Sequence, residues 1–139
     1  FFRQMQDKYP GRLCACFGFV PELSRKIYAG ADIFLMPSKS EPCGLSQMIA
    51  LRYGTIPVVR ETGGLKDSIQ DSGDGCGNGF TFQSYNGGDM LYAIHRSLEG
   101  YANHEGWEIL VKRAMQCDNS WGHSANAYIR MYRELIKEE

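Results

Sequence analysis

The run Ile33-Phe34-Leu35-Met36, stopped at once by Pro37, constrains this chain more than any other stretch. Four consecutive apolar residues, without polar alternation, suit a parallel strand covered on both faces. A short polar loop follows, and then a helix over residues 45–53, in which Leu45, Met48, Ile49 and Arg52 recur at helical intervals before Gly54 closes it. The pattern repeats. A strand at 56–59 leads through Thr62-Gly63-Gly64 into a short element at 66–69, and a last strand at 79–82 precedes a helix at 88–99. Strand alternating with helix over the first 100 residues predicts βαβ units with right-handed crossovers. The expected fold class is therefore α/β, a parallel sheet flanked by helices.

The remaining elements fill in around that frame. A helix over 1–9 is closed by Pro10-Gly11, an apolar strand is expected at 13–17, and Pro21-Glu22 opens a helix through 28 that Gly30 ends. Pro57 is awkward inside a central strand and is placed near its strand's start. Residues 71–79, rich in Gly, Asp and Ser, read as a surface loop. Helices at 105–115 and 124–136 make a helical tail of about 104–139, long for one small sheet, which either packs back or reaches toward another domain.

The 139 residues suffice for one domain. A net charge of -1 gives no reason to expect nucleic acid or an anionic membrane surface as partner. No apolar run approaches the roughly 20 residues of a membrane span, and no basic-then-apolar leader is seen. The five cysteines, Cys14, Cys16, Cys43, Cys76 and Cys117, match neither a zinc nor a redox spacing and read as mostly buried, reduced thiols of a cytosolic protein. His95, His104 and His123 share no metal-ligand spacing, so no metal is expected. The chain opens without Met, already inside a helical pattern, as a piece of a longer protein would.

Chemistry concentrates at Glu41-Pro42-Cys43-Gly44-Leu45-Ser46-Gln47. In an open α/β sheet, ligands bind beyond the carboxyl ends of the strands. A helix start there offers unpaired N–H groups and a partial positive charge, which suit a phosphate. Gly44 leaves the mouth clear, Ser46 adds a hydroxyl, and Glu41 stands just before the cradle. Alone, Glu41 would pass for a solvated loop acid; Pro42 and Gly44 beside it favour a function. Thr62-Gly63-Gly64 follows the next strand on the same sheet edge, although Gly-Gly turns after strands are common. Gly18-Phe19 opens onto that edge too, where Phe19 either stacks on a base or packs in the core. Lys39, Arg60 and Lys66 lie nearby, but single basic loop residues are usually just solvated. The dinucleotide pattern GxGxxG is absent, which argues against an NAD domain.

The segment 31–69, with EPCGLSQ followed at this separation by GTIPVVRETGGL, resembles the C-terminal half of bacterial glycogen synthases and plant starch synthases. The likeness runs from YPGRL at Tyr9 to WGHSANAYIRMYREL near the end. It implies a GT-B glycosyltransferase, two Rossmann-like halves facing across a cleft, of which residues 1–139 are the nucleotide-sugar-binding half. The implied reaction extends an α-1,4-glucan at its nonreducing end from ADP-glucose, with retention and with no cofactor or metal, in the cytoplasm or a plastid. Carried over by position, Glu41 is the acid at the donor sugar and Gly44, Leu45 and Ser46 meet the diphosphate through their backbone N–H groups. Phe19 lies beside the base, and Cys43 packs near the donor. Thr62, Gly63 and Gly64 are counted with them as donor-binding candidates because their turn opens onto the same sheet edge.

Two departures stand out. Many related GT-B enzymes carry a second acid eight residues after the first, where this chain has Ile49. The basic pair that neutralises the diphosphate lies upstream of this segment in the family, as does the acceptor-binding N-terminal domain, so the segment alone is expected to be inactive. The rival readings are a UDP-glucose-using retaining transferase, against which EPCGLSQ speaks, and a non-catalytic nucleotide- or glucan-binding module. A flavodoxin-like signalling domain would want clustered acids near residues 14–19, and there are none.

Overall fold

The computed structural model describes residues 1–137. The helices are α1 (Phe2–Lys8), α2 (Pro21–Gly30), α3 (Ser46–Tyr53), α4 (Gly64–Ser68), α5 (Gly87–Ala102), α6 (His104–Met115) and α7 (Trp121–Lys137). The strands are β1 (Ile33–Met36), β2 (Ile56–Arg60) and β3 (Phe80–Phe82), all parallel, in the order β1-β2-β3. The α/β alternation expected from the apolar runs is therefore present, and the last two residues of the expected tail lie outside the described part.

β2 is the buried heart of the sheet. Ile56, Val58 and Val59 are fully enclosed, packed with Leu51 of α3, Leu65 of α4 and Ala93 of α5. Each such aliphatic side chain contributes about 1.5–3 kcal/mol of transfer free energy. Pro57, second in this central strand, is tolerated because of where its ring nitrogen points. The Ile56 N–H donates to Asp32 on the β1 side, so the next nitrogen faces β3. β3 pairs only from Val58 onward, and the neighbour of the proline ring there is Gly79, which has no side chain to obstruct it.

Four expectations are corrected. Residues 13–17 form no strand: an extended segment becomes one only when a neighbour completes its hydrogen bonds. Among the described residues the backbone of this stretch reaches only Tyr9 O, from the Leu13 N–H at 3.2 Å, and the Gln6 side chain, whose Oε1 accepts from the Ala15 N–H at 2.7 Å, and neither belongs to a strand. β1 is not covered on both faces, because it is an edge strand and its Leu35 is 41% exposed. Residues 71–79 are not all surface: Gly77, Asn78 and Gly79 are buried, and Asp71 bridges Gly79. The Asn78 amide pins this loop by accepting from the Gln70 N–H and donating to Ser68 O. Finally, the cysteines are not buried. Four are exposed, on segments outside the core, and Cys117 is half-buried against it.

A polar cluster ties β3 to α5. Arg96 donates from both terminal nitrogens to Asp71, at 2.7 and 2.9 Å, and also to Thr81 O. Burial alone would raise the Asp71 carboxyl. The Arg96 guanidinium and the N–H groups of Thr81 and Gly73 outweigh it and bring the pKa down to about 2. α7 stands apart: Tyr128, Ile129, Tyr132 and Leu135 form an apolar stripe that remains exposed.

Candidate functional site

The loop from Pro37 to Leu45 leaves the carboxyl end of β1 and the turn 61–63 leaves that of β2, so parallel pairing delivers both to one edge. There they touch backbone to backbone. The Gly64 N–H donates to Glu41 O at 3.2 Å. A Cβ on Gly63 would meet Glu41 O at 2.0 Å, and one on Gly64 would meet Cys43 O at 2.1 Å. Gly63 also has a φ of 46°, a conformation that side chains disfavour. The Gly-Gly turn is thus required by the approach of the two loops to each other.

Gln47 locks the junction. It is fully buried, and its Nε2 lies 3.2 Å from Cys43 O, 3.0 Å from Gly44 O and 3.0 Å from Ser68 Oγ. The Ser68 hydroxyl in turn donates to Gly64 O at 2.6 Å. One side chain thereby joins the Glu41 loop to α4. Gly44, at a φ of 73°, sits where a Cβ would strike the Gln47 amide at 2.6 Å.

The Glu41 carboxylate is half-buried and takes part in no hydrogen bond or ion pair among the described residues. Behind it α3 starts at Ser46, with Leu45 as its N-cap and no side-chain cap. Its first-turn N–H groups are therefore open to a ligand. The amides of Gly44 and Leu45 donate to no backbone acceptor among the described residues. A free carboxylate beside uncapped amides can hold sugar hydroxyls on one side and an anion on the other.

The predicted residues divide into groups. Glu41, Cys43, Gly44, Thr62, Gly63 and Gly64 lie together at the loop junction. Ser46 and Phe19 share a neighbouring hollow of about 550 Å³ between α2 and α3, with Ile49 and Tyr53 in its wall. Phe19 is 94% exposed, which settles the choice against a core aromatic. Leu45 lines a second hollow with Met48, Ile49 and Met115. The helical stripe 45–48–49–52 thus lines open space, and the buried side of α3 is Gln47, Ala50 and Leu51. Cys43 is exposed, its sulfur 3.6 Å from Gly44 O. The expected strand before Phe19 is absent, so that residue reaches the edge from a loop. No group of three or more candidate metal ligands occurs among the described residues, and no helix there is long and apolar enough to cross a membrane.

Sequence reasoning gave no role to Gln47 or Ser68. A polar residue three and four positions after Gly44 and Cys43, on a helix bearing apolar neighbours, was the available signal.

Residues 4–110 match the model of the family described as Glycosyl transferases group 1. The chain belongs to that family. Among relatives of this group 1 glycosyltransferase, a glycogen synthase of Geobacillus thermodenitrificans (strain NG80-2) is 56% identical over 100% of the chain. A glycogen synthase of Bacillus cereus (strain ATCC 10987 / NRS 248) is 52% identical over 99%. The chain spans 29% of the length of each. The catalytic domain of starch synthase IV from Arabidopsis thaliana, solved bound to ADP and acarbose, superposes with a TM-score of 0.85 at 40% identity. That match covers 96% of this chain and 29% of the plant chain, and the fold is that of a GT-B glycosyltransferase domain. A sucrose-phosphate synthase from Thermosynechococcus elongatus, at a TM-score of 0.67 and 21% identity, shares the fold.

Proposed function

We propose that residues 1–139 are the donor-binding half of a glycogen or starch synthase that moves glucose from ADP-glucose to the nonreducing end of an α-1,4-glucan with retention. The observation that carries this reading is the placement of a free, half-buried Glu41 carboxylate directly ahead of the uncapped start of α3. In the reaction the bond from the anomeric carbon to the diphosphate oxygen breaks, an acceptor hydroxyl oxygen attaches on the same face while its proton passes to the departing diphosphate, and ADP leaves. The amides of Gly44, Leu45 and Ser46 receive the negative charge of the leaving diphosphate. Glu41 holds sugar hydroxyls and offsets the positive charge that develops at the sugar. Such help is strongest in a closed, water-poor cleft.

Phe19 offers its exposed ring to the base across the hollow it shares with Ser46, and Thr62, Gly63 and Gly64 close the donor site from the β2 side. Cys43 shapes the loop and is not a nucleophile. The cations that neutralise the diphosphate come from the segment upstream of this one, and the acceptor is bound by the N-terminal domain of the same protein, a length the relatives possess and this chain does not span. Residues 1–139 alone therefore transfer no glucose.

The test is glucosyl transfer to glycogen by the full-length parent, from ADP-glucose and from UDP-glucose, with and without Glu41→Gln. The expected result is a preference for ADP-glucose and a loss of about a hundredfold in the variant, roughly 3 kcal/mol of barrier. Normal transfer by a folded Glu41→Gln protein returns the acid to a structural role. Preference for UDP-glucose overturns the donor assignment.

A further inference from the structure

Arg60 is a cation at this edge whose side chain the structure engages without an acid. It ends β2, is half-buried, and forms no ion pair among the described residues. Its Nη1 donates to Lys39 O at 3.0 Å, and its guanidinium lies 5.7 Å from the ring centre of Tyr85, within cation–π range. Its Nε is buried with no partner, so the side chain gives up hydration to reach that carbonyl. A buried guanidinium loses free energy by this unless the contact it makes is kept.

The carbonyl it holds is two residues before Glu41. The next carbonyl held on this loop is that of Glu41 itself, which accepts from the Gly64 N–H. The loop between β1 and α3 is thus held at residue 39 by the end of β2 and at residue 41 by the start of α4. With both anchors in place the Glu41 backbone has one position relative to α3. With the first removed, Ser38 to Ser40 can swing about the second.

We propose that Arg60, steadied by Tyr85, is a positioning residue that sets where the Glu41 carboxylate stands. This rests on the reading of Glu41 as the acid at the donor sugar. A displacement of about 1 Å at a reacting centre can cost on the order of a hundredfold in rate, so a remote anchor of this kind shows in kcat.

The experiment is a double-mutant cycle in the full-length parent, using transfer from ADP-glucose to glycogen with Glu41→Gln, Arg60→Met and their combination. Arg60→Met is expected to lower kcat about ten- to a hundredfold with KM for ADP-glucose changed less than about threefold. The double variant is expected to be no slower than Glu41→Gln, within about threefold, because the anchor acts only through the acid. Arg60→Lys, which keeps a cation and a donor, is expected to recover at least threefold over Arg60→Met. Normal kcat in Arg60→Met, or losses that multiply in the double variant, overturns the positioning role while leaving Glu41 standing. Normal transfer by Glu41→Gln overturns both. If Arg60→Met does not fold, the cycle runs with Tyr85→Leu, a change at an exposed side chain. Its expected loss is about three- to tenfold and is likewise absent on the Glu41→Gln background; unchanged kcat there rejects the proposal.

Discussion

At Gly64 a single methyl group separates this loop junction from a clash. A Cβ there would stand 2.1 Å from Cys43 O and 2.6 Å from Cys43 Cα, and no flexible side chain can give way because the obstruction is backbone. Gly64→Ala is expected to cost about 2–3 kcal/mol, within the range for overpacking and local strain, read as a lower urea midpoint with unchanged slope. An unchanged midpoint would mean that the two loops do not meet as described. The residue scale is also where the sequence was least complete. Glu41 was legible because Pro42 and Gly44 punctuate its loop. Two links were not, Gln47 to Ser68 and Arg60 to Lys39 O, because each joins residues delivered by different strands, and spacing along the chain carries no record of that.

At the scale of elements, Arg96 of α5 adds polar bonds to Thr81 O of β3 and to Asp71 beside it, on top of the apolar contact between the two elements. Asp71 titrates lower in the folded chain, at about 2, than the usual value of 3.8. A depressed carboxylate stabilises the fold fully above its unfolded value, and that contribution is lost as pH falls from about 4 toward 2. Tm of the wild type should therefore drop over that window, and Asp71→Asn should drop less steeply. At pH 7 the substitution is expected to cost about 1–2 kcal/mol, a charged hydrogen-bond figure reduced because both side chains keep some exposure. Parallel slopes for the two proteins from pH 5 to 2 would place the acid sensitivity elsewhere. Elements with their own signal were readable in advance: the apolar runs of β1 and β2, and the helices between Pro and Gly stops. Residues 13–17 carry the same apolar signal as a strand and fail to become one. The deciding fact is whether a partner edge lies alongside, which composition does not encode.

Across the whole molecule, the apolar surface is distributed as in one part of a larger body. Tyr128, Ile129, Tyr132 and Leu135 recur on one side of α7 and are 45–59% exposed, with Trp121 at 89%. A contiguous stripe of that kind marks a surface that binds something. β1 adds a second open feature, a sheet edge with Leu35 beside it, and unpaired edges also promote association. Residues 1–139 prepared alone are expected to self-associate with rising concentration, measured by sedimentation velocity from about 5 to 200 μM, a range that spans weak contacts of roughly 5–7 kcal/mol. The pair Ile129→Lys and Tyr132→Glu separates the two sources. Placed on the exposed face of α7, it should leave helix content unchanged and return the chain to a monomer if the stripe drives assembly. Persistent association of that variant would assign it to the β1 edge, and a wild-type chain monomeric throughout would show that neither surface is sticky enough to need a partner.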